Sequence, residues 1–521
     1  MEYDRNRPLM SIALPQPVTA TAPRGPRLAS IAPGFRAVAS AGAVVVGVSL
    51  ALLDFAWNGS FLVGVVVFCA WLGVSRIPLC ETSPPWRDLE RGLIPAAFLL
   101  RGGMLLATFA VKEAHGVLSY NVDVRSFILW AEEIAERLPV LLDIRPYDLA
   151  GTYDVGFQYF LAFILWLPGG SLLAAQTFVA LAGTGTAYLV YRVARPLLGR
   201  SAVFCGLIVA FAPNAIFLAS ADLMKDCLLT LSFLLAIFAA QRIYASRSVD
   251  AVSIVMLVCG FVLTRLIRVY AGALLEIGLV GWPLLIWWRA RRRAGSPPAV
   301  RRFVSRAALV LGVLLGAEGI LFVLVREPVI AVEMGSMAGW LKLPSARSAF
   351  FGPRGRFEAM LENEGELPTI EKKKETADKF SLTHFGFELL RRFYGPFVWA
   401  PPSHNHRFEY LIGNWSAWFE APLWYALFPF GVIGLWRLAR RERWDAWFLA
   451  SAGAALLLAL VVFSVTHRQR TSNLLPLLSI AAVAGWNATT PRQRRVLLSA
   501  QGLIVLGLAA AYWSFRLLHS G

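Results

Sequence analysis

The stretch Lys112-Glu113 … Asn121-Val122-Asp123-Val124-Arg125-Ser126-Phe127 … Tyr147-Asp148-Leu149-Ala150-Gly151-Thr152 decides how the chain is read. Apolar runs long enough to span a bilayer lie on both sides of it, yet it is polar and acidic. Lys112, Arg125, Arg137 and Arg145 face Glu113, Asp123, Glu132, Glu133, Glu136, Asp143 and Asp148, a net charge of −3 inside a chain of +17. After Asp123 the pattern becomes amphipathic. Phe127, Trp130, Ala131, Ile134 and Leu138 recur at helical spacing, with Arg125, Glu132, Glu133 and Glu136 opposite. The spacing predicts an interfacial helix lying on a membrane, with Asp123 at its start and open to water. Two roles fit that position: an N-cap, which needs no chemistry, and a catalytic carboxylate. They are compatible.

The rest of the composition fixes the class. Of 521 residues, 57% are hydrophobic and only 16% charged, against about a quarter charged in an ordinary soluble domain. The five cysteines have no paired spacing and suggest neither a disulfide framework nor a zinc site. The net positive charge is carried by arginines between apolar runs, the habit of cytoplasmic loops. No basic soluble domain with interleaved aromatics supports nucleic-acid binding. The chain reads as an all-α, polytopic integral membrane protein.

Residues 1–36 form a Pro-, Ala- and Arg-rich tail without periodicity, expected to be disordered and cytoplasmic. A transmembrane module covers 37–325 and contains the acidic loop 112–152. A polar extracytoplasmic region follows over 326–418, and a C-terminal set of spans over 419–521. Counting a crossing at 153–168 places Arg192, Arg195, Arg200 and the seven arginines from Arg289 to Arg306 outside, against the positive-inside rule. If 153–168 instead returns to the side it starts from, every strongly basic loop falls inside. The expectation is about 13 transmembrane helices plus membrane-surface helices.

That layout leaves some charges outside at span ends: Asp222, Lys225 and Asp226; Arg265 and Arg268; His467, Arg468 and Arg470. Arginines at span ends have an ordinary explanation, snorkelling toward headgroups. They also bind phosphate oxygens bidentately, and a carboxylate beside them can take a proton from a hydroxyl. The spacing of Arg265 and Arg268 predicts one helical face for both. His404 and His406 have metal-like spacing without a third ligand and read as surface residues.

The order of Asp123, Phe127-Ile128-Leu129-Trp130-Ala131, Tyr153-Asp154-Val155-Gly156-Phe157-Gln158-Tyr159-Phe160, Leu165-Trp166-Leu167-Pro168-Gly169-Gly170-Ser171, Tyr191 to Gly199, Ala212-Pro213 and Met224-Lys225-Asp226-Cys227 resembles the N-terminal module of the GT-C glycosyltransferase superfamily. In pattern it is similar to the branch of protein O-mannosyltransferases and aminoarabinose transferases, over about residues 110–240. The resemblance implies an enzyme of the bacterial cytoplasmic membrane with its active site on the extracytoplasmic face. Such an enzyme moves sugar from a polyprenyl phosphate donor to a glycan, lipid or protein acceptor, among membrane lipids and without nucleic acid. It implies Asp123 as the first-loop acid, the catalytic base or acceptor-orienting group, and Asp226 as the second-loop acid. Two departures stand. Val124 replaces a second acid common after the first, which makes a divalent metal less expected, so no cofactor is assigned. Tyr153-Asp154-Val155 replaces a basic residue, which leaves Lys225, Arg265, Arg268, His467, Arg468 and Arg470 to hold the donor phosphate.

The alternatives are a surface-polysaccharide polymerase or ligase using a polyprenyl pyrophosphate-linked glycan, and a lipid or glycan transporter. The polymerase reading is prompted by Phe393 to Trp399 and by His467 to Arg470 with Asn473 and Pro476.

Overall fold

A computed structural model describes residues 26–77, 83–115, 122–137, 155–221, 223–246, 249–294, 298–325, 408–441, 443–462 and 470–519. Most of these residues are helical and none is in a strand. In order the helices are α1 (Pro26–Asn58), α2 (Leu62–Ser75), α3 (Pro84–His115), α4 (Val122–Arg137), α5 (Val155–Trp166), α6 (Leu172–Leu198), α7 (Ala202–Phe211), α8 (Pro213–Leu218) and α9 (Lys225–Ala245). They continue as α10 (Ala251–Ile267), α11 (Val269–Glu276), α12 (Trp282–Ala294), α13 (Pro298–Val325), α14 (Phe408–Ala439), α15 (Trp444–Val462), α16 (Leu475–Ala488) and α17 (Pro491–His519). Two π-helical turns interrupt the series, Ile277–Gly281 and Arg470–Leu474. Among the described residues seven helical stretches are long and apolar enough to cross a membrane. The helix over Pro26–Asn58 enters the segment expected to be tail, because the apolar pattern of Ala32, Ala39 and Ala43 already packs.

Named contacts fix the helix directions. Arg36 pairs with Asp88 at 3.2 Å near the starts of α1 and α3, and Trp57 meets Phe109 near their ends, so the two run parallel. Trp86 meets Phe204, and Arg101 reaches the carbonyl of Val209, so α7 runs with α3. Thr264 donates to Ser232, which sets α10 antiparallel to α9. Arg441 donates to the Leu197 carbonyl and Asn487 to Ser201, which brings the ends of α14 and α16 to the end of α6. Gln241 bonds both Val193 and Asp445 there, and Arg289 stacks over Trp447. The basic turns around Arg195, Arg242, Arg289, Arg441 and Arg494 therefore share one end of the bundle, the arginine end. There Asp250 caps α10, and its bonds from Ser253 and Arg242 hold its carboxyl down to about 2.

Helix α5 does not reach the arginine end. Its start at Gly156 abuts Leu266, near the end of α10, and Phe157 packs edge-on to Phe127 of α4 at 5.6 Å. The turn after it lies against the end of α1, where Ser60 donates to the Gly169 carbonyl at 2.8 Å. Gly169 has φ +76°, a left-handed conformation that glycine takes without steric cost. Buried Asp54 locks the junction, accepting from Asn58, the Val63 amide and Ser171. Both ends of α5 therefore sit opposite the arginines.

One span is broken. Pro213 has no amide hydrogen, so the chain leaves α7 at Ala212 in extended conformation and restarts as α8. Each exposed half-helix end meets a buried charge of the sign that complements its dipole. Arg101, 1% exposed, donates to the Val209 and Ala210 carbonyls at the end of α7 (3.1 and 3.3 Å). Glu420, fully buried, accepts the Asn214 amide at the start of α8 (3.1 Å). Gly183 makes room for the guanidinium: a Cβ there would stand 2.8 Å from Arg101 Nε and 2.5 Å from Ala219 Cβ.

Candidate functional site at the end opposite the arginines

The first turns of α4 and α9 converge at this end. Helix α4 is amphipathic as the spacing predicts, with Val124, Phe127, Ile128, Ala131 and Ile134 buried and Glu132, Glu133 and Glu136 exposed. Its apolar face is covered by α5 and α9 rather than turned to lipid, which corrects the expectation of a helix resting on the membrane by that face. Asp123 lies in the first turn of α4, one turn before Phe127. An acidic residue in that turn complements the positive end of the helix dipole.

Lys225 opens α9, is 5% exposed, and holds its ammonium 4.9 Å over the ring of Phe127. Asp226 follows, also buried, and its carbonyl accepts from Thr230 Oγ1 at 2.8 Å. Lys112, at the end of α3, is buried and donates to the Ala221 carbonyl just before α9. The backbone of Asp123 and the side chains of Lys225 and Phe127 thus share one neighbourhood with Asp226. The buried ammonium groups of Lys112 and Lys225, from different helices, lie at this end with the buried carboxyl of Asp226. Such a place favours anionic oxygens beside a proton-accepting carboxylate.

The two predicted arginine clusters stand differently. Arg265 is 1% exposed and committed to two carboxyls, Glu318 on α13 and Glu276 on α11, the latter at 3.4 Å. Arg268 lies beyond the last residue of α10 in extended backbone (φ −152°, ψ 103°) and caps the start of α11. Arg265 and Arg268 therefore do not share one helical face, because the helix they were assigned to ends between them. Arg470 begins the π-turn that leads into α16. Asp222, His467, Arg468, the histidines His404 and His406 read as surface residues, and Asp143 lie outside the described residues. Among the described residues no three His, Cys, Asp or Glu side chains gather closely enough to hold a metal ion.

A polar network behind Asp226 was not read from the sequence. One turn along α9, Thr230 Oγ1, whose single proton goes to the Asp226 carbonyl, lies 2.8 Å from the Ser472 carbonyl and 3.1 Å from Asn473 Oδ1. Thr471 donates to Glu420 at 2.5 Å and accepts from Asn214 Nδ2 at 2.8 Å. Ser416 donates to Asn214 Oδ1. A cavity of about 20 Å³, room for about one water, opens among Arg101, Cys227, Thr230, Thr471 and Ser472. An available signal was missed. Arg101 and Glu420 are isolated ionisable residues within apolar runs, which are functional or structural markers by default.

No family model matches the chain, and no curated protein matches it. Among solved structures it is similar to the archaeal oligosaccharyltransferase AglB from Archaeoglobus fulgidus, determined in complex with an inhibitory peptide and a dolichol-phosphate. Identity is 14% and the TM-score 0.40, over 81% of this chain and 55% of that one, so this chain spans little more than half its length.

Proposed function

We propose that the chain is a membrane glycosyltransferase of GT-C type that transfers a sugar from a polyprenyl phosphate-linked donor to an extracytoplasmic acceptor. The observation that carries this reading is the convergence of the first turns of α4 and α9, with Lys225 over Phe127 and Asp226 beside it. The positive-inside rule puts the arginine end in the cytoplasm and this site on the outer face. On this layout α1, α2, α3, α6, the broken α7–α8, α9, α10, α11–α12, α13, α14, α15, α16 and α17 are about 13 crossings, and α5 is not one.

In this reading Asp123 accepts the proton of the acceptor hydroxyl as it attacks the sugar's anomeric carbon, and the polyprenyl phosphate leaves. Lys225, Arg268 and the run His467-Arg468-Gln469-Arg470 neutralise the phosphate. Arg265, held by Glu276 and Glu318, fixes the break from which Arg268 follows. Asp226 is the second acid of the site. One observation favours a second reading, a lipid or glycan transporter: the broken span with buried Arg101 and Glu420, a feature of transport sites.

The experiment is Asp123→Asn, assayed with a panel of polyprenyl phosphate-linked sugars in membranes of the full-length chain. Asparagine keeps the shape of aspartate and gives up only the dipole contribution of a first-turn charge, about 0.3–1 kcal/mol, but cannot take the proton. The variant should insert and express like the parent and lose about two to four orders of magnitude in turnover. Asp143→Asn should stay active. Parental turnover in Asp123→Asn would sink the assignment, and lipid movement across the bilayer without transfer would put the transporter in its place.

A further inference from the structure

We propose that Glu420 and Thr471 are positioning residues that hold the π-turn carrying Arg470 against α8 and α14. The role of Arg470 as a phosphate ligand rests on the glycosyltransferase reading; the positioning does not.

The turn Arg470–Leu474 is a wide π-turn, a geometry that persists where neighbours hold it and that often marks functional sites. Two hydrogen bonds hold this one, and both run to other helices. The Thr471 hydroxyl has one proton, and it goes to Glu420 at 2.5 Å. The same oxygen accepts from Asn214 Nδ2 at 2.8 Å, so the hydroxyl's direction is set on both sides. The next carbonyl, of Ser472, lies 2.8 Å from Thr230 Oγ1, four residues after Asp226. Glu420 and Thr471 are 0% and 1% exposed and Asn214 is 2%, so water does not compete for these bonds. Glu420 ties the set together, because its other oxygen takes the Asn214 amide at 3.1 Å. Residue 470 is thus anchored through its neighbour Thr471 to α8 and α14.

The test uses the full-length chain in membranes, carrying Arg470→Cys, and follows modification of the introduced thiol by a small thiol reagent against the parent with its own five cysteines. Adding Thr471→Val, which keeps the shape but removes the hydroxyl, should change the rate about tenfold. Adding Thr471→Ser should restore it. If Thr471→Val does not insert, Glu420→Gln, which keeps one acceptor oxygen, takes its place with the same expectation. Equal rates in all variants, including no reaction in any, overturn the proposal. With residue 470 as Arg, Thr471→Val should raise the donor KM about tenfold with kcat near the parent, and Arg470→Ala should abolish that difference. A changed labelling rate with an unchanged KM supports the positioning and removes Arg470 from the phosphate site. A loss of kcat at unchanged KM assigns the network to chemistry and overturns the positioning role.

Discussion

The ammonium of Lys225 stands 4.9 Å over the ring of Phe127, and this contact closes the start of α9 onto α4. A cation over an aromatic face contributes about 0.5–2 kcal/mol, more when water is excluded. Lys225→Met should therefore loosen α4 and, on the proposed function, weaken donor binding by about one decade, since it removes both the contact and a charge proposed to neutralise the donor phosphate. Phe127→Leu should loosen α4 while leaving the charge in place. Limited proteolysis of the chain around Arg137 reads the loosening. Parental cleavage rates in both variants would mean that the contact holds nothing.

Arg101 should matter to stability more than to chemistry. It supplies hydrogen bonds to the Val209 and Ala210 carbonyls, which α7 cannot satisfy once Pro213 ends it. Leaving a buried acceptor unpaired costs about 1–3 kcal/mol. Arg101→Met should lower the thermal midpoint in detergent, and Gly183→Ala should do so as well, because its methyl meets Arg101 Nε and Ala219. Arg492→Met, at an exposed position in the first turn of α17, serves as the control and should melt like the parent.

Topology is open to direct measurement. A reporter inserted after Gly170 should face the same side as one inserted in the 112–150 loop, and a reporter after Arg195 should face the other. The prediction follows from α5, whose two ends touch Leu266 and Ser60 at one end of the bundle. Opposite sides for Gly170 and the loop would require α5 to cross.

What the sequence disclosed was governed by periodicity and charge. The α4 face from Val124 to Ile134 was legible because a 3.6-residue repeat survives whatever covers it, but the repeat does not say whether the cover is lipid or α5. The arginine end was legible because insertion sorts cations. The break between Arg265 and Arg268 was not, since Leu266-Ile267 carries neither proline nor glycine to announce it. The partners Glu276 and Glu318 lie on other helices, and no local spacing relates them to Arg265. The same holds for Glu420, Asn214 and Thr471, which meet only after the chain has folded back on itself.

The broken span has a consequence for how the protein is made. The α7 half of the break can be satisfied early, because Arg101 on α3 has already left the ribosome when α7 emerges. The amide that starts α8 waits for Glu420, which is translated after the whole of α9 to α13. Until α14 inserts, the N-terminal module carries an unfinished polar seam facing the place that α14 and α16 will fill. A nascent chain stalled before residue 420 therefore lacks the carboxylate that the α8 amide bonds in the finished fold.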